Sequence, residues 1–223
     1  MAAPCDLRFD CGRICLDLAA TAGGAPAERL TGERPTAERL TGPDQLRAWL
    51  VGAGLVPRGT PLDGVDGSWV ARFRALRELL GRVVHDELRG RADEADLALL
   101  NSAAASGQPP AAHAVRTADG SLARALAGPP DCAGLLAAVA RDAIGLLTDA
   151  VARQQLRQCE GESCTLVYLD TSRGRRRRWC SSEVCGNRER VARHRRRTTV
   201  RREENGSAGQ GVVTGAEKFS AEL

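Results

Sequence analysis

The chain has 223 residues, 43% of them hydrophobic and 3% aromatic, with a net charge of +4. That length and apolar share suffice for a packed core, and the abundance of Ala, Leu and Val beside few aromatics favours helices packed through small aliphatic side chains. No apolar run approaches the roughly 20 residues that span a bilayer, and no export signal is recognisable, so a membrane protein and a secreted disulfide scaffold are set aside and a cytoplasmic protein is expected.

Leu7 to Phe9 form a short extended or turning segment, followed by an apolar stretch through Ile14, Leu16, Leu18, Ala19 and Ala20 that Gly23 and Gly24 end. Such a piece plugs into a core. A ten-residue repeat, Ala27-Glu28-Arg29-Leu30-Thr31-Gly32 and again Ala37-Glu38-Arg39-Leu40-Thr41-Gly42, is too short for a solenoid unit and reads as a local duplication that lengthened a loop. Pro43 at a first helical position, Leu46, Trp49 and Leu50 on one face, and Gly52 and Gly54 at the close predict a short helix. From Ser68 through Glu87 the positions Trp69, Phe73, Leu76, Leu80 and Val83 recur at helical spacing, and Asp93 to Ser106 repeats the pattern through Leu97, Leu100 and Ala104. Asp119-Gly120 between two alternating segments over 111–126 predicts a hairpin. Cys132 to about Gln154 predicts one helix through Leu135, Leu136, Val139, Ala143, Leu146, Leu147 and Ala150.

Four of the eight cysteines fall into two pairs, Cys159-x4-Cys164 and Cys180-x4-Cys185. Structural zinc takes four tetrahedral ligands, and two short-range thiolate pairs let a small hydrophilic segment close around one ion without a large core of its own. An iron–sulfur cluster is the alternative metal reading. Unrelated thiols are a poor account, because a segment this polar has nowhere to bury four cysteines. With four protein ligands the zinc keeps no open position, so one structural ion is expected and water activation is not. Between the pairs, Thr165 to Leu169 alternates like a strand and Asp170 to Gly174 reads as a turn. After them Ser181 and Ser182 can cap a helix running from about Ser182 to Arg197 or beyond.

Charge is unevenly placed. Thr171 to Arg202 holds thirteen arginines against Glu183 and Glu189, a local +11, which leaves −7 for the remainder. A four-thiolate zinc site carries a charge near −2 and accounts for two or three of these arginines. The surplus calls for a polyanion, and nucleic-acid phosphate is the natural counterpart. The arginines in question are Arg173, Arg175, Arg176, Arg177 and Arg178 at the tip of the zinc loop and Arg188, Arg190, Arg193, Arg195, Arg196 and Arg197 on the helix. Lys218 is the single lysine, so the preference for Arg reflects either a GC-rich genome or a need for forked donors. Trp179, beside a ligand, reads as a miniature core in preference to a base-stacking platform.

At Arg177-Arg178-Trp179-Cys180-Ser181 and Cys185-Gly186-Asn187-Arg188 the segment resembles the CGNR zinc-finger family. The likeness extends back through Cys159, Cys164, Tyr168, Asp170 and Ser172. In that family the finger follows a mostly helical domain of the ABATE type, described as a stress-induced transcription regulator. Phe9-Asp10, Gly12-Arg13, Leu16-Asp17-Leu18 and Arg39-Leu40-Thr41 look like that domain. Cys11 stands where the family usually has Gly, and Ala20-Thr21 where it has Asn-Thr. The resemblance implies zinc and suggests DNA binding with transcriptional control.

The expected fold class is mostly α, within an α+β organisation: a helical regulatory domain over 1–155 with a small β-hairpin, a four-cysteine zinc finger over 156–202 made of a short hairpin and an Arg-rich helix, and a disordered tail over 203–223. The expected function is a zinc-dependent, DNA-binding transcriptional regulator, stress-responsive by resemblance, whose first 155 residues sense a signal or form a homodimer. RNA binding is the first alternative. A thiol or metal sensor using Cys5, Cys11, Cys15 and Cys132 is the second, set against a plain role for these as small buried hydrophobes. An enzyme is not expected: His85, His113 and His194 are scattered, with no partnered nucleophile, open metal site or phosphate loop.

Overall fold

Apolar spacing at helical period dictates most of what forms in the first 155 residues. The structure, a computed structural model, describes residues 7–22, 38–161 and 164–208, without the side chains of 196, 197 and 199–208. The first copy of the ten-residue repeat, Cys5, Gly23 and Gly24 lie outside the described residues. The helices of this part are α1 (Ile14–Ala19), continued by a 3-10 turn over Ala20–Ala22, then α2 (Pro43–Gly52), α3 (Gly67–Glu87) and α4 (Glu94–Ala105). After the strands β1 (Ala112–Arg116) and β2 (Leu122–Leu126) come α5 (Cys132–Thr148) and α6 (Ala150–Gln155).

Aspartates start the later helices. Asp66 accepts from the Ser68 and Trp69 N–H groups, Asp93 from Ala95 and Asp96, and Asp131 from Gly134, each cap contributing about 1 kcal/mol. α5 is the central element, packed on α4, α3 and α1. Its Gly134 has no room for a side chain, since a Cβ there would stand 2.5 Å from the Gln108 carbonyl oxygen. The core comprises Leu16, Leu18, Leu46, Leu50, Leu80, Leu100, Leu135 and Leu146, all fully buried, around Trp49 and Phe73 in edge-to-face contact at 5.9 Å.

The single helix expected from Cys132 to Gln154 is two. Asp149 is extended (φ −85, ψ 109) and its carboxylate accepts from the Val151 and Ala152 N–H groups, so it ends α5 and caps α6. A short polar side chain offers the backbone an alternative to the helix ladder, and as a result Ala150 is exposed, off the apolar stripe.

The predicted hairpin is present, with β1 and β2 antiparallel from Ala112↔Leu126 to Arg116↔Leu122. Gly120 has φ +84, and Asp119 accepts from the Ser121 N–H and hydroxyl and the Thr117 hydroxyl, bonds that hold its carboxyl down at about 2. A second pair, β3 (Leu156–Gln158) and β4 (Val167–Leu169), is antiparallel from Leu156↔Leu169 to Gln158↔Val167. The strand expected over Thr165 to Leu169 is therefore shorter, and its three residues are all buried where alternation was expected. The opening segment of the chain covers it: Leu169 N–H donates to the Cys11 carbonyl at 2.9 Å, and Gly12, at φ +92, brings its backbone so close that a Cβ would lie 3.0 Å from Leu169 Cβ.

The chain divides into two units, Met1–Cys180 and Ser181–Leu223. The second holds α7 (Cys185–Ala208). Ser181 Oγ accepts from the Val184 N–H at 3.2 Å, so this serine caps a turn ahead of the helix, and the helix expected from about Ser182 begins at Cys185. The helix runs past residue 202 to Ala208, so residues 203–208 of the expected disordered tail are helical. Residues 209–223 lie outside the described residues. Among the described residues, no helix is long and apolar enough to cross a membrane.

Polar groups are also drawn into the core at α1. Its N-terminal end has no cap from its own sequence; instead Asp142 of α5 accepts from the Cys15 N–H at 3.0 Å and from Arg13 Nε at 2.8 Å. Asp17 accepts from the Cys11 N–H at 3.0 Å, and burial, aided by the charges of Asp10 and Asp142, pushes its carboxyl up from 3.8 to about 6. The native state thus keeps a proton that the unfolded chain releases, and this acid weakens the fold as pH rises from about 4 through about 6. Asp17→Asn removes that dependence while retaining an acceptor for Cys11. Urea unfolding of both proteins is expected to show wild-type stability falling relative to the variant by on the order of 1 kcal/mol across that window, with a constant difference above it.

Candidate metal centre and nucleic-acid interface

The pairing of β3 with β4 creates the first half of the cysteine cluster. Their connection leaves Leu156–Gln158 directly into Cys159, whose N–H donates to the Leu166 carbonyl at 2.9 Å, and the Cys164 N–H closes a turn onto Gly161 at 3.0 Å. The chain then returns through residues 171–180, where Glu160 N–H donates to the Arg178 carbonyl at 3.0 Å and Cys180 N–H to Cys159 Sγ at 3.3 Å. The Sγ atoms of Cys159, Cys164, Cys180 and Cys185 all lie within 4.8 Å of one another, and those of Cys164 and Cys180 are 3.8 Å apart. A tetrahedral ion with metal–sulfur bonds of about 2.3 Å sets its sulfurs about 3.8 Å apart, so the cage fits a single ion. An iron–sulfur cluster interposes its own atoms between the thiolates and needs a wider one. Cys159, Cys180 and Cys185 are buried and Cys164 half-buried.

Around the sulfurs stands a shell of charged and hydrogen-bonding groups. Hydrogen bonding to Cys159 and Cys164, and then to Arg8, holds the Cys180 thiol far below its usual range. Arg177 is turned inward: its guanidinium lies 4.3 Å over the Tyr168 ring, its Nε donates to the Trp179 carbonyl at 3.0 Å, and its Nη2 donates to the Cys180 carbonyl. Tyr168 is fully buried, which pushes its phenol up to about 12, and its hydroxyl donates to the Arg177 carbonyl at 2.7 Å. Asp170, fully buried, accepts from the Ser172 N–H at 3.0 Å, the Ser172 hydroxyl at 2.5 Å and the Arg177 N–H at 3.0 Å. One carboxylate thus shapes the whole arginine-bearing turn, whose tip needs left-handed backbone at Gly174 (φ +91) and Arg175 (φ +51).

The arginines singled out from sequence separate by surroundings. Arg173, Arg175 and Arg176 are exposed at the tip of the turn. Arg178 is exposed, pairs with Glu160 at 2.5 Å and lies 5.2 Å from the Trp179 ring. Trp179 is half-buried with its indole N–H enclosed, in keeping with the miniature core expected of it. On α7, Arg188, Arg190, Arg193 and Arg195 are exposed, Arg190 also donating to the Gly186 and Ser182 carbonyls. The side chains of Arg196 and Arg197 lie outside the described residues.

Of the other candidates, Cys11, Cys15 and Cys132 are buried, and burial pushes all three thiols up. Thiols of that kind pack as small hydrophobes and are poor nucleophiles. His85 is a strut: its Nδ1 lies 2.7 Å from the Gly81 carbonyl oxygen and its Nε2 2.8 Å from that of Thr165, one residue beyond a cysteine ligand. Sequence reasoning did not single out Arg8, Asp10 or Asp142 for the parts they play. Asp142 could have been flagged as a charge on an otherwise apolar helix face; nothing near Arg8 signals its partner.

A family model described as "Putative stress-induced transcription regulator" (ABATE) matches residues 12–150, more than half of the chain, and one described as "CGNR zinc finger" matches residues 155–198. No curated protein matches the chain.

Proposed function

The chain belongs to the ABATE family of transcription regulators and carries a CGNR zinc finger, and on that premise we propose that it is a zinc-dependent, DNA-binding regulator acting inside the cell, where thiols stay reduced. Cys159, Cys164, Cys180 and Cys185 hold one zinc ion. All four positions of the ion are filled by protein, so its contribution is to fold the finger over 156–202, and no enzymatic step is assigned to it. Residues 1–155 form the regulatory part, a reading compatible with a homodimer.

The observation that carries the proposal is the placement of exposed Arg173, Arg175, Arg176, Arg188, Arg190, Arg193 and Arg195 in the segment that holds the cage. Arg177 supports the turn from within and is not counted among the phosphate contacts. Arg178, Arg196 and Arg197 complete the proposed set. Guanidinium forks match phosphate oxygens in pairs, and each neutralised phosphate releases counterions. Binding of a duplex that engages about six phosphates should fall with salt at a log–log slope of roughly −5. A fluorescence-anisotropy titration of duplex DNA from low to physiological salt measures it, and a flat response would sink the proposal. Competition by structured RNA at matched salt distinguishes the two nucleic acids: displacement of duplex by equimolar RNA would move the assignment from DNA to RNA.

A further inference from the structure

Arg8 stands near the start of the described chain, 172 positions before Cys180, yet its Nη1 donates to Cys180 Sγ at 3.1 Å and its Nη2 to the Cys180 carbonyl at 2.7 Å. The same guanidinium is gripped from its other edge by Asp10, through Nε at 2.9 Å and Nη2 at 2.8 Å. Its side chain is 18% exposed. A surface ion pair between Arg8 and Asp10 would need no thiol; here the pair is seated on the cluster, with Leu169 donating to Cys11 and Gly12 pressed on Leu169 just behind it.

We infer that Arg8 is a positioning residue of the zinc centre, whose guanidinium, oriented by Asp10, offsets the charge of the Cys180 thiolate and clamps residues 8–12 onto the finger. The inference rests on the reading of the four cysteines as a zinc site. A thiolate keeps lone pairs after binding a metal, so Cys180 can hold the ion and accept from Arg8 together. Four thiolates around a dication leave a net charge near −2 in a partly buried place, where a half-buried guanidinium bonded to the cluster acts more strongly than the solvent-exposed arginines of the turn. Groups that hydrogen-bond to ligands commonly set metal affinity almost as strongly as the ligands do. The finger is then incomplete without the beginning of the chain, and zinc occupancy and the order of residues 8–12 strengthen each other.

The test uses the full chain and competition for zinc with a chromophoric chelator. The wild type should bind one zinc; failure to bind any would refute the zinc reading itself, apart from this inference. Arg8→Ala is expected to weaken zinc binding by about 10–100-fold, and Arg8→Lys, which keeps the charge and loses the fork, should fall between. Arg58→Ala removes an exposed arginine elsewhere and should leave affinity unchanged. With cobalt(II) in place of zinc, loss of the Arg8 hydrogen bond should shift the thiolate-to-metal charge-transfer band in Arg8→Ala and leave it in place in Arg58→Ala. Far-UV circular dichroism reports whether each variant keeps its helices, and Arg8→Lys decides the matter where Arg8→Ala does not fold. Affinity of Arg8→Ala within twofold of wild type, an equal loss in Arg58→Ala, or no difference between folded Arg8→Lys and Arg8→Ala would each overturn the inference.

Discussion

Exchange of Cys180 for serine is expected to abolish stoichiometric zinc binding and, with it, binding to duplex DNA. Cys180 is held at several points within the cage: its N–H donates to Cys159 Sγ, its carbonyl accepts from Arg8 and Arg177, and its sulfur lies 3.8 Å from that of Cys164. Structural zinc contributes on the order of 10–16 kcal/mol to the folding of small modules, far more than a pair of three-residue strands can supply. The helical core depends less on the metal, because α1 to α5 close mainly around their own apolar residues. Zinc released on thiol modification should therefore drop from one per chain toward zero in Cys180→Ser, while thermal unfolding followed at 222 nm keeps a cooperative transition from the helices of residues 14–155, with the contribution of α7 reduced. Retention of one zinc with undiminished duplex affinity would overturn both the ligand assignment and the dependence of binding on the metal. Cys132→Ala is the control: a buried thiol outside the cage, expected to cost stability and leave zinc content alone.

The second large effect is expected at Asp170. Its carboxylate receives three hydrogen bonds from Ser172 and Arg177, and its own N–H donates to the Gln155 carbonyl at 2.8 Å. Hydrogen bonds to an ionised acceptor contribute about 1.5–3 kcal/mol each, and removal of the acceptor strands the donors. Asp170→Ala should cost about 3–5 kcal/mol locally, allowing for water reaching Ser172. The turn that carries Arg173, Arg175 and Arg176 then loses its fixed shape, and duplex affinity should fall by tenfold or more with zinc still bound. Asp170→Asn keeps one acceptor and should fall between. The two readouts, zinc content and duplex anisotropy, separate loss of presentation from loss of the metal; unchanged anisotropy in folded Asp170→Ala would show that the shape of the turn does not matter for binding.

What could be read from sequence follows the range over which each signal acts. The stripe Phe73, Leu76, Leu80 and Val83 repeats within one helix, so α3 was legible to its last residue, and Asp119-Gly120 announces its own turn. The cage was legible because metal spacing is local within each cysteine pair. β3 was not: Leu156–Gln158 has no pattern of its own and exists through its pairing with β4. Asp149 stops α5 because its side chain prefers the backbone ahead of it, a choice that apolar counting ignores. The Arg8 contact with Cys180 and the capping of α1 by Asp142 join positions far apart in the chain, where no spacing rule operates.

α6 ends at Gln155 and β3 begins at Leu156 with no residue between them. Modules joined by a flexible tether reorient freely and find a second site at an effective concentration set by tether length. A junction of zero length permits neither. On the proposed function the metal-binding hairpin would meet nucleic acid with the helical part alongside, and a ligand held by those helices would then obstruct the approach by bulk alone, with no shift in the shape of the hairpin.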